Sequence, residues 1–194
     1  MSILDIRVLG DPILRKETVP VGEITDDIRT LIADMFETMY ASEGIGLAAP
    51  QVGRTERIAV VDVDGARYAL VNPEVIERSN ATDKSEEGCL SIPNIYGDVV
   101  RPSTVSVRAL NEDGEPQEIT ATDLLGRCLQ HEIDHLDGKL FIDYLSVLKR
   151  RAALSKWEDE KADYPNFTRK VIAGARAGRP SGSRGRIEHP DEEM

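Results

Sequence analysis

Two segments of the chain carry apolar residues at the three- and four-residue spacing of an amphipathic helix. The first predicts a helix over residues 25–40, with Thr25 as its N-cap. The second predicts a helix over residues 122–137, and Gly138 supplies its C-terminal stop. A third helix is predicted over residues 144–162. The chain therefore has at least three helices along its length.

Apolar and β-branched runs between these helices predict strands. They cover residues 58–63, 68–71, 104–110 and 117–120. Asp64-Gly65 separates the first two runs and Asp113-Gly114 the last two, and both pairs are typical of tight hairpin turns. Residues 44–53 are rich in glycine and predict a tight, partly buried loop or irregular strand. The expected fold class is α+β, with mostly antiparallel strands packed around the helix at 122–137 and with N-terminal and C-terminal flanking helices.

Length and charge divide the chain into two parts. Its 194 residues suit a single domain, which we expect over residues 1–164. The formal net charge is −11, which argues against a surface that binds nucleic acid throughout. Residues 165–194 nevertheless hold six basic and four acidic residues and show no packing pattern. This composition predicts a basic, disordered C-terminal tail.

The chain contains neither a long apolar run nor a pattern typical of an export signal. No apolar run approaches the roughly 18 residues of a membrane span. Only two cysteines occur, which favours free thiols in a reducing compartment over a disulfide framework. We therefore expect a cytoplasmic protein without membrane attachment.

The predicted second helix carries a metal-binding pattern, H-E-x-x-H, formed by His131, Glu132 and His135. Two imidazoles four residues apart project from one helix face toward a single cation. The intervening glutamate can act as the base for a metal-bound water. The alternative is a pair of ordinary core or surface histidines, although two of the three histidines in the chain fall in this pattern.

A catalytic metal site needs a third protein ligand. Cys89 lies in the glycine-flanked segment 86–93, and its thiolate would fit this role, although a lone cysteine is more often a small buried hydrophobe. Cys128 competes, but it fits an apolar stripe with Leu124 and is assigned to the core. His189 is expected to be solvated.

Three blocks of the sequence together resemble the signature motifs of bacterial peptide deformylases, in the same order and at similar separations. They are Gly44-Ile45-Gly46-Leu47-Ala48-Ala49-Pro50-Gln51, Glu87-Gly88-Cys89-Leu90-Ser91 and Gln130-His131-Glu132-Ile133-Asp134-His135. The resemblance covers roughly residues 3–150. It implies a metal-dependent hydrolase that removes the formyl group from the N-terminal formyl-methionine of new polypeptides and releases formate, by attack of a metal-bound water or hydroxide on the formyl carbonyl.

The resemblance also assigns roles to individual residues. It implies that Cys89, His131 and His135 bind the metal and that Glu132 handles the proton of the bound water. It further implies that the Gln51 amide and the backbone N–H of Leu90 face the substrate carbonyl oxygen, where such donors stabilise the tetrahedral intermediate. Without the resemblance, Gln51 could equally be a loop side chain that bonds to backbone.

The resemblance implies a substrate-binding surface as well. Ile45 and Gly46 lie beside the substrate in this interpretation, where an extended peptide can add as a strand. The positions around the methionine side chain are Ile45, Glu87, Leu124, Arg127 and Cys128. Arg127 is left out of the expected site because a long charged side chain can line an apolar pocket only with its stem. Tyr96 occupies a position that is basic in some relatives, so contacts to the outer peptide backbone are expected to differ.

Ligand chemistry and family resemblance favour different metals. Tetrahedral Cys-His-His ligation alone favours zinc. The resemblance implies Fe²⁺ as the native ion, with Zn²⁺, Ni²⁺ or Co²⁺ as possible substitutes.

The implied partners are formyl-methionyl nascent peptides and the ribosome, which Lys149, Arg150, Arg151 and the basic tail could contact. The alternative for these basic residues is a solvated face. Neither a membrane nor DNA is an expected partner.

Two other functions use the same motif. A zinc endopeptidase would need a further downstream histidine or glutamate ligand, and none is evident. A structural metal module would leave Glu132 dispensable.

Overall fold

The computed structural model describes residues 2–172, which contain nine strands and three α-helices. The strands, β1 to β9, are Ile6–Arg7, Gly46–Ala48, Ile58–Val63, Ala66–Arg78, Thr82–Cys89, Ile92–Pro102, Thr104–Leu110, Pro116–Thr122 and Thr168–Arg169. The helices, α1 to α3, are Asp26–Ala41, Asp123–Leu136 and Val147–Glu160. Short 3-10 turns cover Pro12–Arg15, Ala49–Val52, Phe141–Tyr144, Lys161–Asp163 and Pro165–Phe167.

The strands form three antiparallel sheets. The largest has the order β2-β3-β4-β7-β8, and the pairs β5-β6 and β1-β9 form two-stranded sheets. The predicted α+β class is therefore confirmed, and α2 is its central helix. Within residues 2–172, every helix is too short or too polar to span a membrane.

Strand β3 is apolar at every position except Asp62, because both of its faces are buried. Ala59 and Val61 pack in one core with residues of α2, whereas Ile58 and Val60 pack in another with residues of α1. Successive side chains of a strand point to opposite faces, so a strand between two helices needs apolar residues throughout. The large sheet thus separates α1 from α2 and fixes α2 against its inner face.

The periodicity predicted the helices closely. Helix α1 begins one residue after Thr25, whose Oγ1 accepts a hydrogen bond from the Ile28 N–H at 3.4 Å. Helix α2 ends just before Gly138, which has a φ of +71° that disfavours side chains. Helix α3 begins at Val147, later than predicted, because Phe141–Tyr144 forms a 3-10 turn first.

The hairpin of β5 and β6 is the largest element that the sequence did not predict. Within residues 2–172, strand β5 pairs with β6 alone, and its exposed side chains at 82–86 show no alternation of apolar residues. Val99 and Ile95 of β6 join Trp157 of α3 in a third core. Periodicity cannot detect a strand whose partner, rather than its own pattern, holds it in place.

The structured chain continues past Tyr164, which corrects the predicted boundary there. Pro165–Phe167 forms a 3-10 turn, and β9 pairs with β1, so residues 165–169 do not fit the disordered tail predicted for 165–194. The pattern of apolar residues missed this segment because a two-residue strand is too short to show a period. The predictions for 173–194, including solvated His189, lie outside the described residues.

Candidate active site

The three predicted metal ligands meet at one point. Cys89 is the last residue of β5, while His131 and His135 lie one turn apart on α2. Their ligand atoms all lie within 4.8 Å of one another, and Cys89 Sγ is 3.2 Å from His135 Nε2. Tetrahedral bonds of roughly 2.0–2.3 Å require donor separations of this order. The thiol and imidazole donors therefore fit a single divalent transition metal.

A buried carboxylate orients the first histidine ligand. His131 Nδ1 lies 3.0 Å from Glu87 Oε2, and donation from Nδ1 leaves Nε2 for the metal. Burial alone would raise the pKa of Glu87, but hydrogen bonds from Arg101 and His131 lower it well below its usual range. The ionised Glu87 carboxylate holds the imidazole in one tautomer and one orientation.

Two buried arginines hold Glu87 in turn. Arg101 donates to both carboxylate oxygens at 2.6 and 2.9 Å, and Arg127 donates to Glu87 Oε1 at 2.7 Å. Arg101 also bonds Asp134 on α2 at 2.8 Å. These charge-assisted bonds connect the β5–β6 hairpin to α2, and they keep the ligands of both elements in register.

Glu132 projects into the site without a hydrogen-bond partner at one oxygen. Its side chain is buried, and Oε2 makes no hydrogen bond within residues 2–172. Burial raises the pKa of Glu132 to about 7. A carboxyl group with a pKa near neutrality can both accept and return a proton.

Gln51 lies beside Cys89 with a fixed amide orientation. The Ala48 N–H donates to Gln51 Oε1 at 2.8 Å, so the amide nitrogen points inward. That nitrogen donates to Ser91 Oγ at 3.2 Å and lies 3.5 Å from Cys89 Sγ. A preoriented N–H donor therefore lies next to the candidate metal position.

The site opens into a cavity of about 520 Å³. All of the residues predicted for the site except the fully buried His135 line it; they are Ile45, Gly46, Gln51, Glu87, Cys89, Leu90, Leu124, His131 and Glu132. Leu124 is 50% exposed there, which corrects its predicted place in a core stripe with Cys128. Cys128 itself is buried in the core, as predicted, and the residue also borders the cavity.

Several residues of the site were not predicted from the sequence. Arg101 bonds both Glu87 and Asp134, and Ser91 accepts a hydrogen bond from Gln51. Arg127 was left out for its charge, yet it lies buried and pairs with Glu87 and Asp83. Isolated polar residues in strands and helices have no local signal that would reveal such partners.

The fold and the donor set together define a class. An antiparallel α+β domain presents a Cys-His-His group on and beside an H-E-x-x-H helix, next to a buried carboxylate and an open cavity. This is the arrangement of a metallohydrolase.

Comparison with known proteins gives the family. The family model for polypeptide deformylase matches residues 3–151. The chain is 53% identical over 162 residues to a peptide deformylase of Alkalilimnicola ehrlichii, covering 81% of this chain and 90% of the relative. It is 50% identical over 169 residues to a peptide deformylase of Hydrogenovibrio crunogenus, covering 86% of this chain and 99% of the relative.

Solved structures agree with this result. A peptide deformylase from Ehrlichia chaffeensis, crystallised in complex with actinonin, matches with a TM-score of 0.81 and 40% identity, over 83% of this chain and 99% of that one. A peptide deformylase from Legionella pneumophila matches with a TM-score of 0.78 and 46% identity, over 84% of this chain and 100% of that one. The chain belongs to the peptide deformylase family, whose enzymes hydrolyse the formyl group from the N-terminus of polypeptides.

Proposed function

We propose that this chain deformylates the N-terminal formyl-methionine of newly synthesised polypeptides, with Cys89, His131 and His135 as ligands of one Fe²⁺ ion. The observation that carries the proposal is the convergence of the Cys89 sulfur with both imidazoles beside Glu132, at the floor of an open cavity. The reaction adds water across the formyl C–N bond, which releases formate and a free α-amino group.

A bound divalent ion would lower the pKa of a water molecule toward neutrality and polarise the formyl oxygen. The donor set by itself also accepts zinc, nickel or cobalt. Iron is supported by the family membership of the chain, whereas the thiolate and two imidazoles are common to all four ions.

Glu132 is the proton-transfer group in this proposal. Its unpartnered Oε2 is free to accept a proton from the attacking water. Because burial brings its pKa near neutrality, the carboxyl group can then return that proton to the departing amine. Glu87 and Asp134, the other carboxylates beside the two histidines in residues 2–172, are instead engaged by arginines.

Gln51 and the backbone N–H of Leu90 stabilise the negative charge on the formyl oxygen. The Gln51 amide is held by Ala48 before the substrate arrives, so its donation costs little reorganisation. Leu90 directly follows the proposed ligand Cys89, and its backbone N–H is therefore near the proposed position of the formyl oxygen. Each such donor contributes about 3 kcal/mol to transition-state stability when well placed.

The substrate lies along the edge of the large sheet. Strand β2 is one of the two edge strands of this sheet in the described residues, so an extended peptide can add to it beside Gly46. Ile45 and Leu124 both expose apolar surface to the cavity and suit the methionine side chain. Glu87 lines this part of the cavity while its carboxylate stays bound to Arg101, Arg127 and His131.

The proposed function is tested by formate release from formyl-Met-Ala-Ser by protein prepared anaerobically and loaded with Fe²⁺. We expect turnover with formyl peptides and none with acetyl peptides or casein. Casein cleavage would instead support the endopeptidase alternative. A folded, metal-loaded protein that releases no formate would contradict the proposal.

Replacing Gly46 by alanine is expected to reduce turnover about 100-fold, because a displaced catalytic group loses its productive geometry. A methyl group there would overlap the Glu132 carboxylate and lie 2.8 Å from Cys128 Sγ. The control is Gly22→Ala, since an added Cβ at Gly22 meets no atom within 4 Å. Kinetics and thermal unfolding should show unchanged activity in Gly22→Ala. Full activity in Gly46→Ala would contradict the proposed packing of Glu132.

The nascent-chain substrate also suggests where the protein works. Newly made polypeptides arise in the cytoplasm at the ribosome. Lys149, Arg150 and Arg151 are exposed on α3, and we propose that they contact ribosomal phosphates, with Lys149 and Arg150 exchanging their ion pairs with Asp98 and Asp143 for that contact. The net charge of −11 disfavours direct DNA binding. Ribosome co-sedimentation that survives both a triple alanine substitution of these residues and truncation after Ile172 would contradict the ribosome contact.

A further inference from the structure

The cavity is bordered by a segment that lies beyond the residues matched by the family model. Tyr164 and Arg169 both line it, although the match ends at residue 151. Together with β2, the β5–β6 hairpin and α2, this C-terminal segment forms part of the wall. The cleft of this chain therefore contains side chains that the three signature blocks do not supply.

Contacts on both sides hold this segment in place. The Val8 N–H donates to the Phe167 carbonyl at 2.9 Å, and Arg7 donates to Thr168 Oγ1 at 3.1 Å. The Tyr164 ring stacks on Trp157 of α3, with ring centroids 5.6 Å apart. Backbone pairing, a side-chain bond and an aromatic contact together give Arg169 a defined position at the cavity.

Arg169 differs from the other cation of the cavity wall. Arg127 is committed to Glu87 and Asp83, whereas Arg169 is half-buried and forms no ion pair with any residue in 2–172. The Tyr96 side chain, also at this cavity, is uncharged and 64% exposed. Among residues 2–172, Arg169 is thus the cation of this wall that is available to an incoming ligand.

A peptide substrate carries acceptor groups that suit this cation. The formyl group and the methionine side chain occupy the metal and the apolar part of the cavity in the proposed function. The residues after methionine then offer backbone carbonyl oxygens and, in a short peptide, a terminal carboxylate. A guanidinium presents several N–H donors in a planar array that binds such oxygens.

We propose that Arg169 is a substrate-binding residue that donates hydrogen bonds to the peptide oxygens downstream of formyl-methionine. This inference rests on the proposed deformylase function and extends it to a segment outside the three signature blocks and the family-model match. Arg169 contributes to binding of the peptide rather than to chemistry at the formyl carbon.

The test compares Arg169→Ala with Lys170→Ala on two substrates. Lys170 is the adjacent cation, so both variants lose one positive charge. The exposed Lys170 side chain binds Asp5 and does not line the cavity, which makes it the control. For formyl-Met-Ala-Ser, KM should rise about tenfold in Arg169→Ala with little change in kcat, because charged hydrogen bonds are lost. Formyl-methionine amide lacks the downstream residues, and its KM should not change. Arg169→Lys should recover part of the loss.

Calorimetry with the product peptide Met-Ala-Ser on metal-loaded protein gives a readout that needs no turnover. Binding should weaken about tenfold in Arg169→Ala and stay unchanged in Lys170→Ala. Equal affinities in the two variants, or equal losses for both substrates, would overturn the proposal. Absence of formate release by the unsubstituted protein would instead reject the proposed function, while the calorimetric comparison would still decide the role of Arg169.

Discussion

Replacing Glu132 by glutamine is expected to reduce kcat for formate release by about 10³-fold, within the range for loss of a general base. The amide of glutamine has nearly the same shape as the carboxyl group, but it cannot accept the proton of the attacking water. Because the proposed metal ligands are Cys89, His131 and His135 rather than Glu132, the bound ion should remain at one per chain. Steady-state kinetics and metal analysis of the same preparation measure both quantities.

Glu37→Gln is the matched control for this variant. Glu37 lies on the exposed side of α1, so the same chemical change there should leave turnover unaltered. Full activity of Glu132→Gln would support a structural metal site, in which this carboxylate is dispensable. Loss of the metal together with activity would show that Glu132 supports the ion rather than the proton transfer.

Replacing Cys89 by alanine is expected to weaken metal binding by well over 100-fold and to abolish formate release. Removal of residues that merely orient a ligand already costs about 10–100-fold in metal affinity, and loss of a ligand costs more. The β5–β6 hairpin should survive, since β6 and the third core retain their contacts. Metal titration of the metal-free protein measures the affinity directly.

The second cysteine provides the control for Cys89. Cys128→Ala should keep one ion per chain, because the buried Cys128 sulfur lies among core side chains and is not part of the ligand group. Thermal unfolding offers an independent measurement, since a ligand that binds only the native state raises its stability. Added metal should raise the Tm of the unsubstituted protein and of Cys128→Ala, but not of Cys89→Ala. Equal metal retention in both alanine variants would exclude Cys89 as a ligand.

Local pattern predicted those parts of the site that lie on one element. His131 and His135 are four residues apart, so the helix that the apolar period predicts also brings their rings to one face. The order of the three signature blocks then indicated that Cys89 and Gln51 belong to the same site. This step depended on the resemblance to the family, because spacing along the chain does not reveal which strand end lies beside a given helix.

Contacts between residues distant in sequence decided the remaining features of the site. Glu87 was expected to border the substrate, but its carboxylate orients His131 and is held by Arg101 and Arg127 from two other elements. Arg127 was excluded from the expected site for its charge. The free-energy cost of burying that charge is offset by ion pairs with residues that lie far away in the sequence.

The sequence by itself determined the α+β class, the positions of the three helices, two hairpin turns and the paired imidazoles, because each depends on residues close together in the chain. Only the tertiary structure decided that the polar strand β5 delivers Cys89 to α2, that two arginines hold Glu87, and that residues beyond Tyr164 return to β1 and bring Arg169 to the cavity. Those features join residues that are distant in sequence, and their energies come from burial and partner charges that exist only after the elements have packed.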